Sequence, residues 1–274
     1  MELGKRNTMT VVREVDFGVY LDGGEMGDVL LPRRYVPRHC KKGDTVDVFL
    51  YLDQQERLIA TTEQPKVEVG QFAYLEVSWV NEYGAFLNWG LMKDLFCPFR
   101  EQKMRMVQGK SYIVYCYVDS VTYRIVASAK IEKFLSKEHP QYKSGDETDI
   151  LIQQKTELGF KVIVDGRFAG QLYENELFQQ IHSGDRLKAF VKHVREDGKI
   201  DLTLQKHGQE HVHDFAEILL AYIHNHDGVC ELHDKSDATD IYRVFGVSKK
   251  VFKKAVGDLY KRGLIKLEDD RLLA

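Results

Sequence analysis

No apolar run in this chain approaches the roughly 18 residues that a membrane-spanning helix needs, so no membrane partner is expected. The first residues, Met1-Glu2-Leu3-Gly4-Lys5-Arg6, lack the apolar core of a secretory signal, and a cytoplasmic location is the expectation. The cysteines Cys40, Cys97, Cys116 and Cys230 are scattered. Without a Cys-x-x-Cys pair a zinc knuckle is disfavoured, and free thiols in a reducing compartment fit better than disulfides. There is no Gly-x-x-x-x-Gly-Lys-Ser/Thr phosphate loop and no Gly-x-Ser-x-Gly nucleophile elbow. The carboxylates are spread among turns with no pairing that spacing supports, so neither an enzyme nor a cofactor is expected. Positive charge is not in excess either: 39 Lys and Arg stand against 42 Asp and Glu, a net charge of −3. That balance argues mildly against a general polyanion binder and leaves room only for local basic surfaces.

What the chain does have is a glycine rhythm. Gly4, Gly18 and Gly43, then Gly70, Gly84 and Gly109, then Gly145, Gly159 and Gly184 repeat the same two intervals, 14 and 25 residues. A fixed spacing copied three times means a fold module in tandem. With 274 residues, each copy has roughly 65–75, small but within reach of independent folding.

Around each middle glycine the pattern is acidic, bulky, Gly, apolar, long, aliphatic: Val15-Asp16-Phe17-Gly18-Val19-Tyr20-Leu21, Val80-Asn81-Glu82-Tyr83-Gly84-Ala85-Phe86-Leu87, and Thr156-Glu157-Leu158-Gly159-Phe160-Lys161-Val162. Alternation before it (Val11, Arg13, Val15; Leu75, Val77, Trp79) and after it reads as strand, turn, strand, with the glycine permitting a bulge or a close backbone approach. A third short strand follows at Asp28–Pro32, Asp94–Pro98 and Gly170–Tyr173, then a Gly-initiated β run from Gly43, Gly109 or Gly184. A last strand closes each unit from Arg57, Arg124 or Lys199. Five short strands in about 60 residues with no long helix predict a small closed barrel, which leaves no open edges.

Glu82-Tyr83-Gly84-Ala85-Phe86-Leu87, with Gly70 before it and a Gly-initiated strand after it, resembles the S1 RNA-binding domain, a five-stranded OB-fold. The likeness is strongest in the second copy, fair in the first and weakest in the third. It implies RNA-facing aromatics at Phe17 and Tyr20 and at Tyr83 and Phe86, and a basic residue opening the last strand at Arg57, Arg124 and Lys199. The family's third-strand histidine position is assigned to Leu30, Phe96 and Tyr173, of which Phe96 and Tyr173 can stack. In the third copy Leu158 and Lys161 replace aromatics, so charge from Lys161, Lys188, Lys192, Arg195 and Lys199 is expected to matter more there. The chemistry suits a single strand: rings stack on bases at roughly 1–3 kcal/mol each, and Arg or Lys follows the phosphates.

After Lys206 the apolar period changes from two to about 3.6. Phe215, Ile218, Leu219, Tyr222 and Ile223 predict a helix from Asp214 to about His226. A second helix is expected over Asp237–Phe245, capped by Ser236, and a third is capped by Ser248, with Val251, Phe252, Ala255, Val256, Leu259 and Tyr260 on its buried side. A strand, a turn at Asp269-Asp270 and a strand end the chain. This is the order of a winged helix. Lys249, Lys250, Lys253 and Lys254 crowd the start of the third helix, where a recognition helix meets nucleic acid, with acidic Asp258 and Glu268–Asp270 nearby. His207, His211, His213, His224, His226 and His233 cluster at the junction, but no Cys or Glu completes a ligand set and no metal site is expected.

The expected architecture is therefore mainly β with a small α+β C-terminal domain: three tandem S1-like OB-fold barrels (1–63, 66–130 and 144–206) and a winged helix (209–274). In that order the chain resembles the bacterial conserved virulence factor B (CvfB, YitL-type) family. The resemblance implies a post-transcriptional regulator of gene expression that binds single-stranded RNA along its barrels, with modest sequence preference and strong salt dependence. Two other classes remain open: a DNA-binding transcription regulator acting through the winged helix, and a protein-interaction scaffold on RNA-processing or ribosomal partners.

Overall fold

The computed structural model describes residues 1–177, 180–204, 209–268 and 270–274, with the side chains of 175 and 209–214 left aside. His207 and Asp269 of the sequence reading lie outside the described residues, as do the side chains of His211 and His213.

The first barrel consists of β1 (Arg6–Val15), β2 (Gly18–Leu21), β3 (Val29–Pro32), β4 (Thr45–Leu52) and β5 (Leu58–Thr61). The second has β6 (Phe72–Val80), β7 (Gly84–Leu87), β8 (Leu95–Pro98), β9 (Ser111–Val118) and β10 (Ile125–Ser128). The third has β11 (Glu147–Thr156), β12 (Gly159–Val164), β13 (Phe168–Tyr173), β14 (Arg186–Val194) and β15 (Ile200–Thr203). Each is closed in the order first, second, third, fifth, fourth strand; the third and fifth strands run parallel and the other pairs antiparallel.

The glycine rhythm has two physical causes. The outer glycines hold the ends of long strands together. Gly43, Gly109 and Gly184 donate N–H to the carbonyls of Val11, Val77 and Ile152 at 2.8, 2.9 and 2.9 Å, and Gly4, Gly70 and Gly145 donate to Leu50, Cys116 and Val191 at 2.8, 2.8 and 2.7 Å. The middle glycines answer a steric demand. A Cβ on Gly18, Gly84 or Gly159 would lie 2.2, 2.3 or 2.1 Å from the carbonyl oxygen of Leu31, Cys97 or Leu172 on the next strand. Of the two roles expected for them, close approach is the one found. The bulge lies earlier, where register shifts between Val11 and Arg13, Val77 and Trp79, and Ile152 and Gln154.

Residues 1–136 and 137–274 form two compact units. Within the first, β4 buries both of its faces. Val46, Val48 and Leu50 fill the first barrel, while Phe49 and Tyr51 point the other way into the core cluster of the second. Phe49 meets Trp89 edge to face at 5.7 Å.

In the second unit the chain continues with α1 (Gln209–Asn225), β16 (Val229–Cys230), α2 (Ala238–Phe245), α3 (Lys249–Lys261), β17 (Lys266–Leu267) and β18 (Leu272–Leu273). The expected hairpin gains a strand, because β16 pairs with β18 in a sheet ordered β16-β18-β17. Phe215, Phe245 and Phe252 meet at ring distances of 5.6–6.3 Å in the core. Four expectations are corrected here. α1 starts at Gln209 rather than Asp214. Ile218 is exposed, because buried Ala216, Leu219 and Ile223 fix the face and Ile218 lies about 100° round the helix from Leu219. Tyr260 is exposed too, one residue beyond buried Leu259. The α2 cap is Asp237, which accepts from the Thr239 N–H, while Ser236 accepts from the His233 N–H in the preceding turn. The Ser248 cap of α3 is found as expected. No helix among the described residues is long and apolar enough to cross a membrane.

The close approach at the middle glycine yields a direct test. Gly84→Ala is expected to cost about 1–3 kcal/mol, because the neighbouring strand backbone has nowhere to move. Gly109→Asn occupies open space at a φ of +76° that Asn adopts, and its urea midpoint should stay much nearer wild type. Equal losses for the two would contradict the steric account.

Candidate nucleic-acid interface

The bulge in the first strand of each barrel changes which side chains face outward. In β6, Leu75 and Val77 point into the core; the register shift then turns Trp79 out, although strict alternation places it inward with them. Trp79 pairs with Phe86, and Phe86 with Phe96, which pairs in turn with Val126 on β10. The outer row of the second barrel is therefore Trp79, Phe86, Phe96 and Val126. The corresponding rows are Arg13, Tyr20, Leu30 and Ile59 in the first barrel, and Gln154, Lys161, Gln171 and Asp201 in the third.

These registers correct one assignment. The residue matching Leu30 and Phe96 is Gln171, whereas Tyr173 sits opposite Gly159, where the other barrels have Pro32 and Pro98. Counted from the middle glycine, Leu30, Phe96 and Gln171 all stand 12 residues on, whereas Tyr173 stands 14 on, level with Pro32 and Pro98. Tyr173 is also committed: its hydroxyl lies 2.6 Å from Arg195 Nη2 and 3.3 Å from Asp201 Oδ1. Phe160, between the two substituted positions, is buried in the core.

The second barrel alone carries a continuous aromatic row. Trp79 and Phe86 stack in parallel with centroids 3.7 Å apart, and Phe96 follows at 5.0 Å. Phe86 thus spends one face on Trp79, which is 43% exposed and has its indole N–H on Asp94 Oδ2 at 3.2 Å. Tyr83 stands apart at 66% exposed. In the first barrel Phe17 is 58% exposed and meets the edge of Tyr20, whose face is covered by the Arg13 guanidinium at 4.4 Å. Trp79 escapes a reading by alternation. The signal that reveals it is the bulge, which recurs at the same place in all three copies.

Beside this row, within the first unit, opens a cleft of about 370 Å³ lined by Tyr51, Leu52 and Glu56 of the first barrel and by Tyr83, Phe86, Asp94, Phe96 and Arg124 of the second. Burial pushes the Tyr51 phenol up to about 12, so it stays protonated and neutral at physiological pH.

The cations expected to follow a backbone are mostly paired. Arg57 lies 2.7 Å from Asp53, Arg124 2.9 Å from Glu56, and Lys199 2.7 Å from Asp197. Lys93 joins Glu56 at 3.1 Å. In the third barrel Lys188 pairs with Glu147 and Asp149, Lys192 with Glu176, and Arg195 with Asp201, so the expected charge of that face is largely neutralised. Lys161 is exposed with no ion pair among the described residues.

On α3 the situation reverses. Lys250, Lys253 and Lys254 are exposed with no ion pair among the described residues, and Lys249 reaches the Lys235 carbonyl at 3.3 Å. The nearby acids have their own partners: Asp258 pairs with Arg262, and Glu268 and Asp270 with Arg271. Of the histidines, His226 lies 2.8 Å from the Tyr222 carbonyl and stacks on that ring. Among the described residues no three metal-binding side chains converge.

Three closed OB-type barrels followed by three helices and a small wing define a protein of tandem S1-like barrels with a C-terminal winged helix. A family model of the S1 domain matches residues 3–63, and one of the CvfB-like winged helix domain matches residues 217–273. The chain is 28% identical to uncharacterized protein YitL of Bacillus subtilis over 98% of its own length and 92% of that protein's. It is 20% identical to conserved virulence factor B of Staphylococcus epidermidis over 84% and 80% of the two chains. The sequence resemblance to the conserved virulence factor B family thus holds over most of the chain. Among solved structures, a multidomain protein with nucleic acid binding domains from Streptococcus pneumoniae is similar at 24% identity, covering 99% of this chain and 98% of that one, with a TM-score of 0.44. S1 barrels are nucleic-acid-binding modules, and neither they nor winged helices are enzyme folds.

The turn that carries Arg57 gives a pH test. Burial alone would raise the Asp53 carboxyl, but the Arg57 guanidinium and the Arg57 and Gln55 backbone N–H groups outweigh it and hold the carboxyl below its usual value. A depressed folded pKa stabilises above the unfolded value and loses that contribution as pH falls through the folded one. Asp53→Asn should therefore be less stable than wild type at neutral pH, with the gap closing below about pH 4. A gap in urea midpoint that persists to the lowest pH at which the protein folds would contradict this.

Proposed function

We propose that the chain is a cytoplasmic RNA-binding protein that acts on gene expression after transcription, holding single-stranded RNA on its barrels. The modules that do so are taken as 1–63, 66–130 and 144–206, with 209–274 as the winged helix. One observation carries this reading: the Trp79–Phe86–Phe96 row lies on an outer barrel face, away from the barrel's own core, beside an open cleft. Stacking on such a row is tolerant of sequence and favours unpaired bases, and RNA is most readable where its bases are unstacked. The paired cations do not oppose it. Exposed ion pairs contribute roughly 0–1 kcal/mol, so a phosphate can replace a carboxylate at Arg57 or Arg124 at little cost.

A second reading, duplex DNA bound by the winged helix, is supported by Lys250, Lys253 and Lys254 at the start of α3, which have no ion pair among the described residues and lie where a recognition helix meets a groove or backbone.

The two are separated by fluorescence anisotropy of the full chain with labelled single-stranded RNA, single-stranded DNA and duplex DNA. The RNA reading expects micromolar or tighter binding to the single strand. Loss of one stacking ring, Trp79→Ala or Tyr83→Ala, should weaken binding by about 1–3 kcal/mol, and added salt should weaken it further. With buried Trp89 changed to Phe, Trp79 is the only tryptophan left and its emission should quench on RNA binding. Folded protein that ignores single strands but binds duplex DNA, sensitive to Lys253→Ala and Lys254→Ala, would transfer the function to the winged helix.

A further inference from the structure

The cleft beside the aromatic row contains a group at odds with simple polyanion binding. Two carboxylates line it, Glu56 and Asp94. Glu56 is occupied by Lys93 and Arg124. Asp94 is not. Its Oδ2 accepts the Trp79 indole N–H at 3.2 Å, which fixes the side chain against the aromatic row, and its Oδ1 has no partner among the described residues. A half-buried carboxylate held in one orientation, with an open oxygen at a cleft, repels phosphate and sugar-bound anions. It is favourable toward a ligand that presents hydrogen-bond donors, and two adjacent N–H groups meet a carboxylate best.

Resting on the RNA reading above, we propose that this cleft selects guanine, with Asp94 reading the base's Watson–Crick edge. Only guanine offers two adjacent donors there, N1–H and the N2 amino group, so one carboxylate can accept both. Adenine and cytosine each place a ring-nitrogen acceptor beside their amino group, and that lone pair faces the carboxylate unfavourably. Uracil has one N–H between two carbonyl oxygens, both of which repel it. Phe96 and Tyr83 supply ring surface for the base in the same cleft, which Arg124 also lines. A space of about 370 Å³ is at the small end of ligand sites and takes one extruded base, not a duplex.

The test is anisotropy of the full chain with four labelled RNA 12-mers, alike except for a single G, A, C or U in the centre of a uridine-poor, guanine-free context. Wild type is expected to bind the G oligonucleotide roughly 5- to 100-fold more tightly than the other three, the range that a two-bond base contact provides. Asp94→Asn keeps an acceptor for Trp79 but replaces the open oxygen with an amino donor or pairs the two ends the other way, and in either case removes the double acceptor. The spread among the four should then fall to within about twofold, with the circular dichroism of the folded protein retained. Equal binding of all four by wild type, or a guanine preference that survives in Asp94→Asn, overturns the assignment while leaving RNA binding intact. Folded wild type that binds none of them overturns both the assignment and the RNA reading on which it rests.

Discussion

The contact of Phe49 with Trp89 decides what the first half of this protein can be. A strand of a small barrel ordinarily buries one face and wets the other, and β4 does not. Its odd-numbered aromatics Phe49 and Tyr51 leave the first barrel and enter the core cluster of the second. Full burial of one such side chain is worth about 1.5–3 kcal/mol. The ion pairs around the same junction, Lys93 and Arg124 on Glu56, are partly exposed and contribute less than about 1 kcal/mol each. Apolar packing therefore joins the barrels, and the charges set the fine register. The cleft is a consequence: once Tyr51 and Leu52 lie against the second barrel, the turn carrying Glu56 overhangs the face that holds Phe86 and Phe96.

The parts of this structure that were legible in the sequence are those a local rule dictates. Glycine at fixed spacing marks places where no Cβ fits or where a positive φ is needed, so Gly18, Gly84 and Gly159 locate the strand pairs without further information. Strand and helix periods, the Ser248 cap and the wing follow from equally local chemistry. The failures share a different character. Trp79 was hidden by a single extra residue in β6, since a bulge inverts the inside–outside phase and alternation carries no mark of it. Tyr173 draws the assignment by its ring, although Gln171 stands at the same 12-residue interval from Gly159 as Leu30 and Phe96 do from Gly18 and Gly84. Ile218 and Tyr260 looked buried because a helical stripe has a width that sequence leaves undefined by one residue on either side. At the candidate site, the rings could be nominated from their neighbours. Which faces were already occupied, Phe86 by Trp79 and Tyr20 by Arg13, depends on contacts across strands.

Charge divides the molecule in a way that composition conceals. A net charge of −3 describes a chain in which the cations that open the last strand of each barrel are matched by nearby carboxylates, while Lys250, Lys253 and Lys254 of α3 have no ion pair among the described residues. Arg57, Arg124 and Lys199 occupy matching positions at the start of the fifth strand, and each has found an acid: Asp53, Glu56 and Asp197. Two of these acids belong to the same turn of the first barrel. The pairing orients each cation at the edge of the barrel face and holds it there without burying it.

This arrangement constrains how a strand of nucleic acid can gain affinity on the barrels. A free lysine that meets a phosphate releases condensed counterions, and that release is the usual source of binding energy. An arginine already bound to a carboxylate gains only the difference between two anions, and the displaced carboxylate must attract a cation of its own. At these three positions the phosphate contribution is thus small for each contact, and on the proposed RNA reading the affinity there rests on stacking and the reading of base edges. The second barrel is the one equipped for that, with Trp79, Phe86 and Phe96 in a row and a carboxylate aimed beside them. The third barrel, with Gln154, Lys161, Gln171 and Asp201 in the corresponding row, is not. Lys250, Lys253 and Lys254 of α3, with no ion pair among the described residues, offer the opposite kind of surface, strong in charge and poor in base information. On the proposed RNA reading, recognition falls to the second barrel and electrostatic attraction to the winged helix, and an acidic overall composition is compatible with both.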